Sequence, residues 1–247
     1  MEENYHKWFS LPLQREFEML TFGSSGLPLI VFPTSGGRYY EAKDRGLINS
    51  VSDLIRSGSL MIFCPDSVNN ESWYNYNAHP SERVKRHINF EKAILNEVIE
   101  FALHKTDNDK VIVCGSSFGG YHAVNLAFRH PDKVSGIFTM GGAYDIKRFI
   151  FGYYDDNCYF NNPPDYLPNL NDNWYLSRMR SMKIILGTGD SDFCLPENLR
   201  LSEILKSKNV EHKLDVRAFT GHDWQWWKIM FRDYIKMMMD RNKFKRN

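Results

Sequence analysis

The chain has 247 residues, with 31 Lys and Arg against 30 Asp and Glu for a formal net charge of +1. That length fits one large α/β domain over residues 1–247, which at this size buries roughly 70–75% of the surface of the unfolded chain and needs no disulfide or metal staple. The balanced charge argues against nucleic acid or a membrane surface as the main partner.

The opening "MEENYHKWFS" is polar and acidic without an apolar h-region, so no signal peptide is expected. No apolar run approaches the ~18 residues that span a bilayer. "LPLQREFEMLTFG" (11–23) alternates and is expected to give one or two antiparallel edge strands before a Ser-Ser-Gly turn. Apolar runs then recur at 27–33, 59–65, 110–115, 134–142, 182–190 and 212–219. Their hydrophobicity is mostly continuous, which marks strands buried on both faces of a parallel sheet.

Helical patterns fall at 81–105, 118–130, 196–209 and 223–242. Ser81 can cap the first, Pro131 ends the second, and Pro196 suits the first turn of the third. Strands alternating with helices imply a doubly wound, three-layer αβα sandwich with a mostly parallel sheet. Two segments, 66–80 and 143–181, break this rhythm and are crowded with Trp, Tyr, Asn and Pro. Long irregular connections in a compact domain are usually functional, and the aromatic content points to pocket lining. Trp73 and Tyr74 are the candidates for a substrate pocket. The basic end "RNKFKRN" reads as a solvated tail. Cys64, Cys114, Cys158 and Cys194 show no C-x-x-C spacing, and the first two end apolar runs as buried thiols. This usage suits a reducing compartment, so a cytoplasmic protein is expected, with a Cys158–Cys194 bridge left open.

The chemistry centres on "VIVCGSSFGGYHAV" (111–124). The spacing Gly115-x-Ser117-x-Gly119 is weak alone, but here a buried strand leads in and a helix follows at once. On such an elbow the serine has a strained backbone and its hydroxyl projects above the sheet, at a helix N-terminus that favours an anionic intermediate. Ser117 is therefore the expected nucleophile, with Ser116 turned toward the sheet.

A serine needs a base. His87, His104 and His130 sit in or at the ends of helices, His122 lies one turn past the elbow, and His6, His79 and His212 lack a suggestive setting. His222, in "FTGHDWQWW", follows the last strand in a Gly-containing loop before the final helix and is the expected base. Asp223 beside it is a helix-capping residue. The acid should follow a late strand, and "IILGTGDSDF" supplies Asp190 and Asp192. Asp190, the first acid after the turn, is favoured. The oxyanion donors are expected at the Phe118 backbone and in the early loop "FPTSGGRYY" (32–40), at the Ser35 backbone. Trp224, Trp226 and Trp227 read as packing of the last helix rather than a sugar platform. No metal motif such as H-E-x-x-H and no phosphate-cradling loop is present.

At "PTSGG", "GSSFGG", "LGTGDSD" and "GHDWQWW" the chain resembles the esterase D-like branch of the α/β hydrolases, which includes S-formylglutathione hydrolases, feruloyl and acetyl xylan esterases, enterochelin esterases and mycolyltransferases. These motifs extend from residue 33 to residue 227. The resemblance implies the α/β-hydrolase fold, Ser117 as nucleophile, Asp190 as acid, His222 as base and an early donor near Ser35. It further implies no cofactor and no metal, the chemistry being acyl transfer through a seryl ester to water on a small-molecule ester. Many relatives carry His-Gly where this chain has Pro33-Thr34. Acyl transfer to a sugar or other alcohol, and a non-catalytic binding module, are the competing readings.

Overall fold

Strand β5, Val111–Ser116, is buried at every position and lies inside an eight-stranded sheet. The structure, a computed structural model, describes residues 1–240. The other strands are β1 (Glu3–Ser10), β2 (Arg15–Phe22), β3 (Leu27–Phe32), β4 (Leu60–Pro65), β6 (Val134–Met140), β7 (Lys183–Gly189) and β8 (Lys213–Arg217). Their order is β1-β2-β4-β3-β5-β6-β7-β8. β1 and β2 pair antiparallel, as do β2 and β4, and every other pair is parallel. This is the expected three-layer α/β architecture.

The strand period of two divides each strand between two cores. Val111 and Val113 join Phe17, Phe63, Phe90 and Leu186 on one face. Ile112 and Cys114 join Phe22, Phe138, Phe231 and Tyr234 on the other. The four cysteines are free and buried, so Cys158 and Cys194 form no bridge.

The N-terminal edge differs from expectation. The stretch 11–23 supplies one strand, and its antiparallel partner is the polar segment Glu3–Ser10. That strand lies at the sheet edge with mostly exposed side chains, so it carries no apolar run to announce it. The first long helix is capped by His79, whose Nδ1 accepts from the Ser81 N–H, with Pro80 as its first residue. It runs as Pro80–Ala93, a π-helical turn Ile94–Ile99, and Glu100–Thr106. The remaining long helices are Phe118–Arg129, Leu195–Ser207 and Trp224–Met239. Asp223 caps the last, its carboxylate accepting from the Gln225 N–H at 2.6 Å. The basic end 241–247, and the last two residues of the helix expected over 223–242, lie outside the described residues. No described helix is long and apolar enough to cross a membrane.

His122, in the elbow helix Phe118–Arg129, and His87, in the helix Pro80–Ala93, are both buried. Burial pushes His87 down to about 4 and His122 well below its ordinary value. The unfolded chain takes up these protons near 6.5, the fold only at lower pH. Their contribution to stability is therefore complete above 6.5 and is lost as pH falls toward 4. Urea unfolding of His87→Gln should show a smaller loss of stability between pH 7 and pH 4.5 than wild type, by on the order of 1–2 kcal/mol. Parallel profiles would contradict this account of the buried ring.

Candidate active site

The elbow forms because Ser117, between β5 and the helix, adopts φ 53° and ψ −124°. Such a backbone costs a non-glycine residue on the order of 1–3 kcal/mol. Three bonds hold it: the Ser117 N–H donates to Met140 O, and its carbonyl accepts from the Gly120 and Ala143 N–H groups, each at 3.0 Å. Gly119 lets the helix start pack on the end of β3, since a Cβ there would stand 2.6 Å from Phe32 O and 2.7 Å from Pro33 O. Ser116, the last residue of β5, is buried, and Ser117, lifted by the turn between strand and helix, is half-buried.

His222 Nε2 lies 3.0 Å from Ser117 Oγ, and His222 Nδ1 lies 2.8 Å from Asp192 Oδ1. The acid beside the ring is therefore Asp192, not the expected Asp190. Asp192 is buried, and its Oδ1 also accepts from the Cys194 N–H at 2.8 Å. Asp190 is turned outward. Its carboxylate accepts from the N–H groups of Phe219 at 2.9 Å and Thr220 at 3.2 Å, and from the Ser191 hydroxyl at 3.1 Å. The Phe219 N–H, followed by those other donors, holds the Asp190 carboxyl below its ordinary range. Asp190 thus fixes the loop that delivers His222 without touching the ring.

The imidazole is gripped by rings. Trp227 meets it edge-on at 4.7 Å, and Phe193, itself 72% exposed, covers it at 4.1 Å. Gly141, at φ +57°, sits behind the pair: a Cβ there would fall 2.4 Å from Asp192 Oδ2 and 2.9 Å from His222 Nδ1. The loop bearing Gly141 is tied to the helix Leu195–Ser207. Glu197 accepts from the Tyr144 and Asp145 N–H groups, and the Asn198 amide donates to Gly142 O at 2.9 Å. None of Phe193, Gly141, Glu197 or Asn198 was singled out from sequence. The Gly-Gly pair ending β6 was the available signal.

The early loop is equally tied down. Thr34 donates from its N–H and its hydroxyl to Glu41, each at 2.8 Å. The Asn69 amide donates to Thr34 O at 3.3 Å, while its Oδ1 lies 2.7 Å from Nε2 of buried His122. The Tyr74 hydroxyl donates to Ser35 Oγ at 2.7 Å, so Tyr74 belongs to this loop. Phe118, the first helical residue, has an N–H with no intrahelical acceptor.

Trp73 does not line an opening. It has no exposed surface and packs against His87, Tyr121 and Phe149, because an aromatic in an irregular segment can close a core as readily as face a pocket. Part of the segment 143–181 lines a cavity of about 430 Å³, with Tyr159, Tyr166 and Tyr175 facing Phe128 and Arg129. It lies at the far end of the elbow helix from Ser117, roughly 18 Å away along a 12-residue helix.

Asp192, Cys194 and His222 each offer one donor atom, all within 4.8 Å of one another. Burial, reinforced by the Asp192 and Glu197 charges, pushes the Cys194 thiol up to about 12. The Asp192 oxygen and His222 nitrogen of this trio already hydrogen-bond each other.

Residues 74–191 match the family model for the alpha/beta hydrolase fold. No curated protein matches the chain. Among solved structures, a ferulic acid esterase superposes with TM-score 0.78 at 17% identity, covering 96% of this chain and 98% of its own. An S-formylglutathione hydrolase from Agrobacterium tumefaciens gives TM-score 0.74 at 13% identity, covering 97% and 95%. A ferulic acid esterase from Anaeromyces mucronatus gives 0.73 at 13% identity, covering 96% and 90%. The chain has the α/β-hydrolase fold, and these neighbours come from the branch its motifs resemble.

The geometry makes Nδ1 the protonated nitrogen of His222, donating to Asp192. Proton NMR should show a strongly downfield imidazole N–H that disappears in Asp192→Asn and persists in Asp190→Asn. The reverse pattern would mean that the ring is held by Asp190.

Proposed function

On this α/β-hydrolase fold we propose that the chain is a serine-dependent carboxylic ester hydrolase acting on a small-molecule ester, with Ser117 as nucleophile, His222 as base and Asp192 as orienting acid. The observation that carries this reading is the continuous line from Ser117 Oγ through His222 to the buried Asp192 carboxylate, starting on a strained elbow. The structural neighbours named as ferulic acid esterase and S-formylglutathione hydrolase support the choice of ester chemistry.

With Nδ1–H donated to Asp192, the Nε2 lone pair faces the Ser117 hydroxyl and takes its proton as Oγ attacks the ester carbonyl. The Asp192 carboxylate stabilises the imidazolium that forms. Negative charge collecting on the carbonyl oxygen is received by the Phe118 N–H at the helix N-terminus and by the Ser35 N–H from the early loop. Each such donor is worth ~3–4 kcal/mol in the transition state. His222 then returns the proton to the leaving alcohol, and a seryl ester remains. Water enters, gives its proton to Nε2 and attacks the acyl carbon, and Ser117 departs with that proton. Every step is supplied by these residues and water.

Two measurements test this. An organophosphonate should label wild type stoichiometrically on the peptide carrying Ser117 and leave Ser117→Ala unlabelled, and that variant should lose at least ~10³-fold in hydrolysis of an activated acetate ester. Equal hydrolysis by the two proteins would overturn the reading. Asp192→Asn should lower kcat by about 10³–10⁴-fold through the wrong imidazole tautomer. Asp190→Asn, which disturbs only the loop, should cost less than about tenfold. Equal losses in the two variants would refute the assignment of the acid.

A further inference from the structure

The segment after β6 carries two adjacent cations with different surroundings. Lys147 Nζ pairs with Asp165 at 2.6 Å. Arg148 has no carboxylate within ion-pair distance among the described residues. Asp145, three residues before it, pairs instead with Arg200 at 3.2 Å.

The position of Arg148 is defined from two sides. On the early-loop side its Nη2 donates to the Tyr74 hydroxyl at 3.4 Å, and that hydroxyl donates in turn to Ser35 Oγ at 2.7 Å. Tyr74 packs edge-on against Phe118, the residue after the nucleophile, with ring centroids 5.4 Å apart. On the acid-loop side the Arg148 charge is felt at Cys194, where it opposes the rise in thiol pKa. Cys194 is the residue whose N–H donates to Asp192. The guanidinium is thus joined through Tyr74 to the early loop at Ser35 and to the Phe118 ring that follows the nucleophile. It also lies over the Phe149 ring at 4.7 Å, which restrains its side chain before any ligand arrives.

We propose that Arg148 is a specificity determinant of this site, receiving a carboxylate carried by the substrate, so that the preferred substrates are esters with a free carboxylate. The proposal rests on the esterase reading above and adds the substrate class to it. The chemistry follows from the donor geometry. A guanidinium presents paired N–H groups that match the two oxygens of a carboxylate, and charge-assisted bonds of this kind are stronger than neutral ones. The hydrogen bond from Nη2 to the Tyr74 hydroxyl is long, and that hydroxyl already has an acceptor in Ser35. An arriving carboxylate therefore needs no internal ion pair to break.

The test compares esters that differ in charge. One pair places the carboxylate in the acyl half, mono-4-nitrophenyl glutarate against 4-nitrophenyl acetate. The other places it in the alcohol half, 4-acetoxybenzoate against its methyl ester. Wild type should favour the charged member of at least one pair in kcat/KM, and the preference should shrink as salt is raised. In Arg148→Gln the charged-to-neutral ratio should fall about tenfold, equivalent to about 1.4 kcal/mol. Arg148→Lys, which keeps the charge and loses the fork, should retain part of it. If Arg148 merely supported the Tyr74–Ser35 contact, Arg148→Gln would lower both members of a pair together and leave the ratio unchanged. That result would overturn the proposal, as would the absence of any preference in wild type.

A binding measurement separates this from the hydrolase reading. By calorimetry, mono-4-nitrophenyl glutarate should bind Ser117→Ala about tenfold more tightly than it binds Ser117→Ala with Arg148→Gln. If wild type hydrolysed no ester yet this difference held, the hydrolase reading would fall and the carboxylate site would stand. Equal affinities would remove the carboxylate site whatever the activity.

Discussion

The site depends on the close approach of the elbow helix to the end of β3. Gly119 lies against the carbonyl oxygens of Phe32 and Pro33, at a separation that leaves no space for a side chain. That approach brings the early loop beside Ser117 and gives the serine its unfavourable backbone angles. The strain persists because backbone bonds with Met140, Gly120 and Ala143 hold both the N–H and the C=O of Ser117, one on each side of its Cα. Any added volume at this contact would move the helix start, and with it the Ser117 hydroxyl and the Phe118 N–H together.

Around this contact, polar side chains are spent on loop backbone. Glu41 holds Thr34, Glu197 holds residues 144 and 145, Asn198 holds Gly142, and Asp190 holds residues 219 and 220. The ends of β3, β6, β7 and β8 have run out of ladder partners, so their loops need such acceptors and donors to remain in one conformation. The rigid loops in turn place three groups from distant parts of the chain within hydrogen-bonding distance. His222 and Ser117 are 105 residues apart in sequence, and His222 and Asp192 are 30 apart.

Much of this could be read from the sequence, for identifiable reasons. Most of the parallel strands are short continuous apolar runs with turn residues on both sides, whereas β8, Lys213–Arg217, alternates at the sheet edge. Ser117 was distinguishable from Ser116 because strand alternation buries one and the elbow lifts the other. His222 stood out by its place after the last strand. Asp190 was favoured over Asp192 wrongly, since which carboxylate faces the ring depends on how the turn after β7 folds against the loop after β8. The Phe219 and Thr220 N–H groups that claim Asp190 are contacts across that gap. Trp73 was misplaced for a similar reason: its neighbours His87, Tyr121 and Phe149 come from three separate elements. Strand β1 was missed because its aromatics are interspersed with polar residues and mostly exposed, so no apolar run marks it.

The grip of Trp227 on His222 makes the final helix a condition for the whole arrangement. Ser117 and its elbow belong to the middle of the sheet, whereas the histidine is delivered by the loop between β8 and the last helix. During refolding the central strands can therefore pair, and the helical signal recover, before the imidazole has a fixed position. Regain of the competent site would lag behind regain of secondary structure and would coincide with docking of the C-terminal helix. The imidazole thus comes to rest beside Ser117 only once the helix Trp224–Met239 has docked.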